Sequence, residues 1–136
     1  MNFPAKILIV DDEPHVRAFL SRLAQSDLGS PALFEAADAE SALELFQRER
    51  PDLVLLDADL IGTPGLVALE QIRDIDEDVV IVMLSTMSVV SAIRQAVELG
   101  ANGYVLKNAG SVQVARSILE VVAESFGNGD AADEQE

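Results

Sequence analysis

The chain has 136 residues, enough for one domain with a buried core and too few for two. Its net charge of −15 argues against direct binding to nucleic acid or attachment to an anionic membrane, because both need basic patches and neither Lys nor Arg clusters. With no Cys there is no disulfide framework or thiolate metal site, and no apolar run is long enough to span a bilayer. Residues 1–6 lack a basic segment followed by a long apolar one, so no signal peptide is expected and a cytoplasmic location is.

Lys6–Val10 predicts a first strand. Pro14 suits the first position of a helix in which Val16, Phe19, Leu20 and Leu23 keep helical spacing, ending near Gly29. A short strand is expected at 33–36, then a helix capped by Asp38, with Ala42, Leu45 and Phe46 on one face, closed by Arg50-Pro51. The third strand, 53–56, runs into Asp57 and is followed by a loop at 58–64, a helix over about 66–73 and an acidic turn at 74–78. A fourth strand at 79–84 leads through Ser85-Thr86-Met87-Ser88 to a helix carrying Val89, Ile93, Ala96 and Val97 that stops at Gly100. A fifth strand at 104–106 ends at Lys107, and a last helix spans about 111–125.

Five alternating strand and helix pairs predict an α/β domain, (βα)5, with a parallel sheet covered by helices on both faces. Strand order 2-1-3-4-5, the flavodoxin-like arrangement, is expected because its switch point lies between strands one and three, which supply the acids. The domain is assigned to residues 1–127. Residues 128–136 hold Asp130, Asp133, Glu134 and Glu136 behind Gly127-Asn128-Gly129, and read as an acidic, disordered tail or the start of a linker.

Asp11, Asp12 and Asp57 stand where apolar strands stop, and ligands of parallel sheets bind at those ends, so the three carboxylates should converge. Clustered carboxylates raise one another's pKa unless a cation holds them ionised. An all-oxygen set suits Mg2+, with Mn2+ as the other candidate ion. Ser85 and Lys107 end two further strands, which makes the constellation suited to phosphoryl transfer: a carboxylate nucleophile, Asp57, with hydroxyl and cationic donors for the transferred oxygens.

At these residues the chain resembles the receiver domains of bacterial two-component response regulators, over roughly residues 5–126. The motifs are Ile7-Leu8-Ile9-Val10-Asp11-Asp12-Glu13, Asp57 after an apolar strand, Gly65 eight residues on, Ser85 after strand four, and Gly100-Ala101-Asn102-Gly103-Tyr104-Val105-Leu106-Lys107. The resemblance implies a CheY-like three-layer sandwich. Asp57 would be the phosphoacceptor, fed by a sensor histidine kinase or phosphotransfer protein, and the domain would later hydrolyse its own aspartyl phosphate. Asp11, Asp12, Asp57 and the backbone carbonyl of Asp59 would hold Mg2+, and Ser85, Thr86 and Lys107 would line the phosphoryl site. Ser85 and Tyr104 would form the switch, altering the face made by helix four, strand five and helix five for a downstream target or a dimer partner.

The chain departs from the family at Leu60-Ile61, where Met-Pro is usual, at Pro64, and at Thr86, where Ala or Gly is frequent beside the route to the phosphoryl group. Lys107-Asn108-Ala109 resembles receivers of the NarL type. Nothing after Phe126 supplies a helix-turn-helix output, so the reading is a free-standing receiver or one separated from its output. Met87, Val89 and Val90 suggest a partner or dimer surface, and His15 reads as a solvated residue near the acids. Two alternatives are a Mg2+-dependent phosphohydrolase of the haloacid-dehalogenase type, suggested by Asp57-Ala58-Asp59, and a pseudo-receiver that only binds partners.

Overall fold

A computed structural model describes residues 2–127. The elements are β1 (Lys6–Val10), α1 (Pro14–Asp27), β2 (Ala32–Ala36), α2 (Ala39–Glu49), β3 (Leu53–Asp57), α3 (Gly65–Ile75), β4 (Val80–Ser85), α4 (Val90–Glu98), β5 (Gly103–Leu106) and α5 (Ser111–Val122). The five strands pair in parallel in the order β2-β1-β3-β4-β5, as the alternating pattern predicts. The chain runs on to 136, and the acidic tail expected at 128–136 lies outside the described residues.

Strand residues alternate between two cores. Leu8, Val10, Val54, Leu56, Ile81 and Met83 face α2, α3 and α4, meeting Phe46, Leu69, Ile72 and Ala96. Ile7, Ile9, Leu53, Leu55, Val82 and Val105 face α1 and α5, meeting Leu20, Leu23, Ile118 and Val122. Both faces are covered, which is why the central strands read as unbroken apolar runs. Each fully buried Leu or Ile contributes about 1.5–3 kcal/mol from removal of its surface from water.

Local signals set the helix ends. Asp38 caps α2 by accepting from the Ser41 amide at 2.8 Å, worth about 1 kcal/mol. Pro14 stands at the start of α1. Two helix expectations need correction. Helix five is α-helical only to Val122 and continues as a π-helical turn, Ala123–Gly127. α4 begins at Val90, so Val89, expected on the helix, is instead its N-cap residue, 53% exposed; within α4 only Ala96 is buried, and Val97 is 55% exposed. A nine-residue helix at the sheet margin has too few turns to bury all the apolar positions its spacing brings near one side.

Arg73 ties the amino ends of β4 and β5 together. From α3 it donates to the Gly100 carbonyl at 2.7 and 3.0 Å, to the Asp76 carbonyl at 3.2 Å and to Asn102 Oδ1 at 2.9 Å, while Asn102 Oδ1 also accepts from Ile81 N at 2.8 Å. The carboxyl end of α4 is therefore firmly anchored. Its amino end, next to the polar strand termini, has no side-chain cap.

Candidate functional site

β1 and β3 are neighbours in register, Val10 opposite Leu56, so the residues that follow each strand emerge side by side. Asp11, Asp12 and Asp57 each bring a carboxylate oxygen within 4.8 Å of the others. Asp11 and Asp57 are buried, and Asp12 is half-buried. The predicted convergence is present.

Lys107 follows β5, in a short 3-10 turn spanning Lys107–Ala109, and reaches back across the site. Its Nζ stands 2.9 Å from Asp11 Oδ2 and 3.0 Å from Asp57 Oδ1. Asp11 Oδ1 accepts from the Glu13 amide at 2.9 Å, and Asp57 Oδ1 also accepts from the Asp59 amide at 2.9 Å. Asp57 Oδ2 is buried with no hydrogen-bond partner among the described residues. An unpaired carboxylate oxygen in a buried site costs free energy, which a cation or an electrophile bound there would relieve.

One ammonium shared by two acids leaves the acids under-compensated. Burial pushes the Asp57 carboxyl above its ordinary range, and the Asp11 charge adds to the rise, outweighing the Asp59 amide and Lys107. Burial alone would lower Lys107, yet its contacts with both carboxylates win and raise it, so it stays charged. A hard divalent cation on the three acids would complete the neutralisation, and the all-oxygen donor set fits Mg2+ or Mn2+.

Ser85 ends β4, beside β3 where Asp57 pairs with Leu84. Its side chain is buried, and Oγ accepts from the Met87 amide at 3.0 Å. Tyr104 in β5 is half-buried and donates its hydroxyl to the Met87 carbonyl at 2.9 Å. Ser85, Met87, Tyr104, Asp59 and Leu66 border a cavity of about 100 Å³. Thr86 and Asp59 are exposed and face one another: Asp59 Oδ2 accepts from Thr86 N at 3.4 Å and Thr86 Oγ1 at 3.5 Å. His15 is exposed, 4.0 Å from the Glu13 carboxylate. Met87, Val89 and Val90 are all exposed, as their surface reading expects.

Gly65 is required for packing. It starts α3 and donates its amide to Ala58 O at 3.0 Å, and a Cβ there would strike the Asp57 carbonyl oxygen and the Ala58 Cα. Two further contributors are not visible in the sequence. Met87 acts through its backbone, which no side-chain pattern reveals. Arg17 in α1 donates Nη1 to the Asp11 carbonyl at 2.7 Å; the signal available was a single basic residue one turn into the first helix, six positions after Asp11.

The response regulator receiver domain family matches residues 7–119. The nitrate/nitrite response regulator protein NarP of Escherichia coli is 34% identical over 105 residues, 77% of this chain and 49% of NarP. Sporulation initiation phosphotransferase F of Bacillus subtilis is 35% identical over 96 residues, 71% of this chain and 76% of that protein. The crystal structure of a LuxR-family two-component response regulator from Aurantimonas sp. superposes with a TM-score of 0.80 at 30% identity, covering 98% of both chains. The chain thus spans about half the length of NarP and most of the sporulation protein. A match over most of the chain, carried by a (βα)5 sheet with its acids at the β1 and β3 ends, means that this chain belongs to the response regulator receiver domain family, with relatives of the NarL type.

Proposed function

We infer that this chain is a phosphoacceptor domain in which Asp57 takes a phosphoryl group from the phosphorylated histidine of a sensor kinase or phosphotransfer protein. The observation that carries the reading is Asp57 itself: buried, one oxygen held by Lys107 and the Asp59 amide, the other without a partner among the described residues. Fixing one oxygen orients the free one as the nucleophile. Its lone pair would form the new O–P bond as the N–P bond of the phosphohistidine breaks, the electron pair returning to the imidazole nitrogen. Lys107, bonded to Asp57, and the buried Ser85 hydroxyl at the end of the next strand would meet phosphoryl oxygens, with Thr86 at the mouth.

Asp11, Asp12, Asp57 and the Asp59 carbonyl would hold Mg2+ or Mn2+, which supplies charge neutralisation of the phosphoryl oxygens. Apart from its own phosphotransfer and dephosphorylation, the domain carries out no catalysis, which sets it apart from a phosphohydrolase of small esters. The intact set of acids, Ser85 and Lys107 supports an active receiver over a pseudo-receiver.

Phosphorylation adds charge and acceptor oxygens that would draw the Ser85 hydroxyl inward. The Met87 amide would then lose its acceptor, and the cavity beside Tyr104 gives the ring room to follow. The readout would be the face of α4, β5 and α5, engaging a downstream target or a second copy, in the cytoplasm. Residues 1–127 would form the receiver. No helix among the described residues is long and apolar enough to cross a membrane.

Incubation with acetyl phosphate and Mg2+, followed by intact mass, tests the assignment. A transient gain of one phosphoryl group is expected, absent in Asp57→Ala and without Mg2+. No gain in the wild type would reject phosphoacceptance.

A further inference from the structure

We propose that Arg17 is a positioning residue for the acid site, holding the Asp11–Asp12 peptide in the orientation that binds the divalent cation; this rests on the metal reading of Asp11, Asp12 and Asp57. Helix side chains lean toward the helix amino terminus, so a residue in the first turn of α1 points back at the loop after β1. Arg17 follows this rule. Its side chain is 20% exposed, and Nη1 donates to the Asp11 carbonyl at 2.7 Å.

The Asp11 carbonyl and the Asp12 amide belong to one planar peptide unit, so a bond to the first orients the second. The preceding peptide is pinned through the Asp11 amide to Ala36 O at 3.1 Å, and the Asp11 carboxylate through the Glu13 amide at 2.9 Å. Arg17 supplies the restraint on the carbonyl between them, which Lys107, 2.9 Å from Asp11 Oδ2, does not reach because it holds the carboxylate. Without it the peptide joining the two acids could rotate, and Asp12 would leave the cluster.

Arg17 is itself held. Its Nε donates to Glu35 Oε1 at 3.1 Å, and Glu35 Oε2 accepts from Ser21 Oγ at 3.1 Å. A bare guanidinium near the acids would repel a cation, but Glu35 cancels that charge locally, so what remains is the directed hydrogen bond. The chain Ser21–Glu35–Arg17 thus joins α1 and the edge strand β2 to the metal loop. Side chains behind metal ligands typically change affinity by about 10–100-fold when removed.

The test is a MgCl2 titration of the full chain at neutral pH followed by backbone amide chemical shifts, which report affinity and the integrity of the fold together. The double variant Arg17→Met, Glu35→Gln preserves the net charge of the pair and removes the hydrogen bond. It should bind Mg2+ about tenfold more weakly with its spectrum otherwise intact. Arg17→Lys, which keeps a donor and the charge, should recover part of the loss. If the double variant does not fold, Ser21→Ala, which only loosens Glu35, should weaken binding in the same direction by a smaller factor. Wild-type affinity in the double variant, or in Ser21→Ala if the double variant does not fold, would overturn the proposal. So would an equal loss in Arg73→Ala, which breaks a guanidinium–carbonyl network at the opposite end of the sheet and should leave Mg2+ affinity unchanged. Absence of Mg2+ shifts in the wild type would instead remove the metal reading, and the role of Arg17 with it.

Discussion

Ser85 and Tyr104 hold opposite sides of one residue: the Ser85 hydroxyl oxygen accepts from the Met87 amide at 3.0 Å, and the Tyr104 hydroxyl donates to the Met87 carbonyl at 2.9 Å. Two side chains from different strands therefore converge on the loop that starts α4. The opposite end of that helix is fastened by Arg73 to Gly100. In the proposed switch, a displacement of Ser85 would therefore bear on the uncapped end of α4, because the other end is anchored.

Tyr104→Phe keeps the ring and removes the donor to Met87. The expected cost is about 0.5–1.5 kcal/mol in urea unfolding, the net worth of one neutral hydrogen bond. Hydrogen exchange should quicken at the start of α4 and stay unchanged around Gly100, where the Arg73 bonds persist. Equal quickening at both ends would refute the asymmetric anchoring.

The raised pKa of Asp57 makes a pH prediction. A carboxyl that binds its proton more readily when folded favours the fold at low pH, and that contribution is lost as pH rises from the ordinary value of 3.8 through the folded value. Asp57→Asn should therefore be more stable than the wild type at neutral pH without metal, the difference closing below about pH 3.8. Mg2+ should narrow it. Lys107 acts at the alkaline end: its stabilisation is complete below the ordinary 10.5 and lost as pH rises through its higher folded value. Thermal unfolding across pH, with and without Mg2+, checks both directions.

Thr86→Ala removes the hydroxyl that bonds to Asp59 and the branched methyl beside the site. If this pair restricts access to Asp57, phosphoryl gain from acetyl phosphate should be about fivefold faster, corresponding to the loss of roughly 1 kcal/mol of hydrogen bonding. Equal initial rates for the two proteins would exclude a gating role.

Gly65→Ala should destabilise the domain by about 1–3 kcal/mol, because the added methyl meets backbone atoms of Asp57 and Ala58 that cannot yield as a side chain would. The same collision displaces the acceptor, so phosphoryl gain should fall as well. A wild-type unfolding midpoint would show that the β3–α3 junction has more room than its geometry implies.

The order of elements, the two covered faces of the sheet and the gathering of Asp11, Asp12, Asp57 and Lys107 at one sheet end are legible in the chain. Those properties come from local signals: unbroken apolar strands, helical spacing in α1 and α2, the Asp38 cap, and polar residues at the carboxyl ends of strands that must lie side by side. The exposure of Val97 was not legible, because spacing shows which residues share a helix side and not how much of that side the rest of the protein covers. The long-range contacts that act through the main chain came from the fold: Arg73 on Gly100 and Tyr104 on Met87, with Arg17 on the Asp11 carbonyl set by the way α1 leaves β1. Every residue but proline carries the same amide and every residue the same carbonyl, so nothing in the identity of an acceptor residue announces its donor. Tyr104 reaches Met87 across 17 positions and Arg73 reaches Gly100 across 27, and only the parallel sheet, by stacking distant strand ends, brings them within hydrogen-bonding distance.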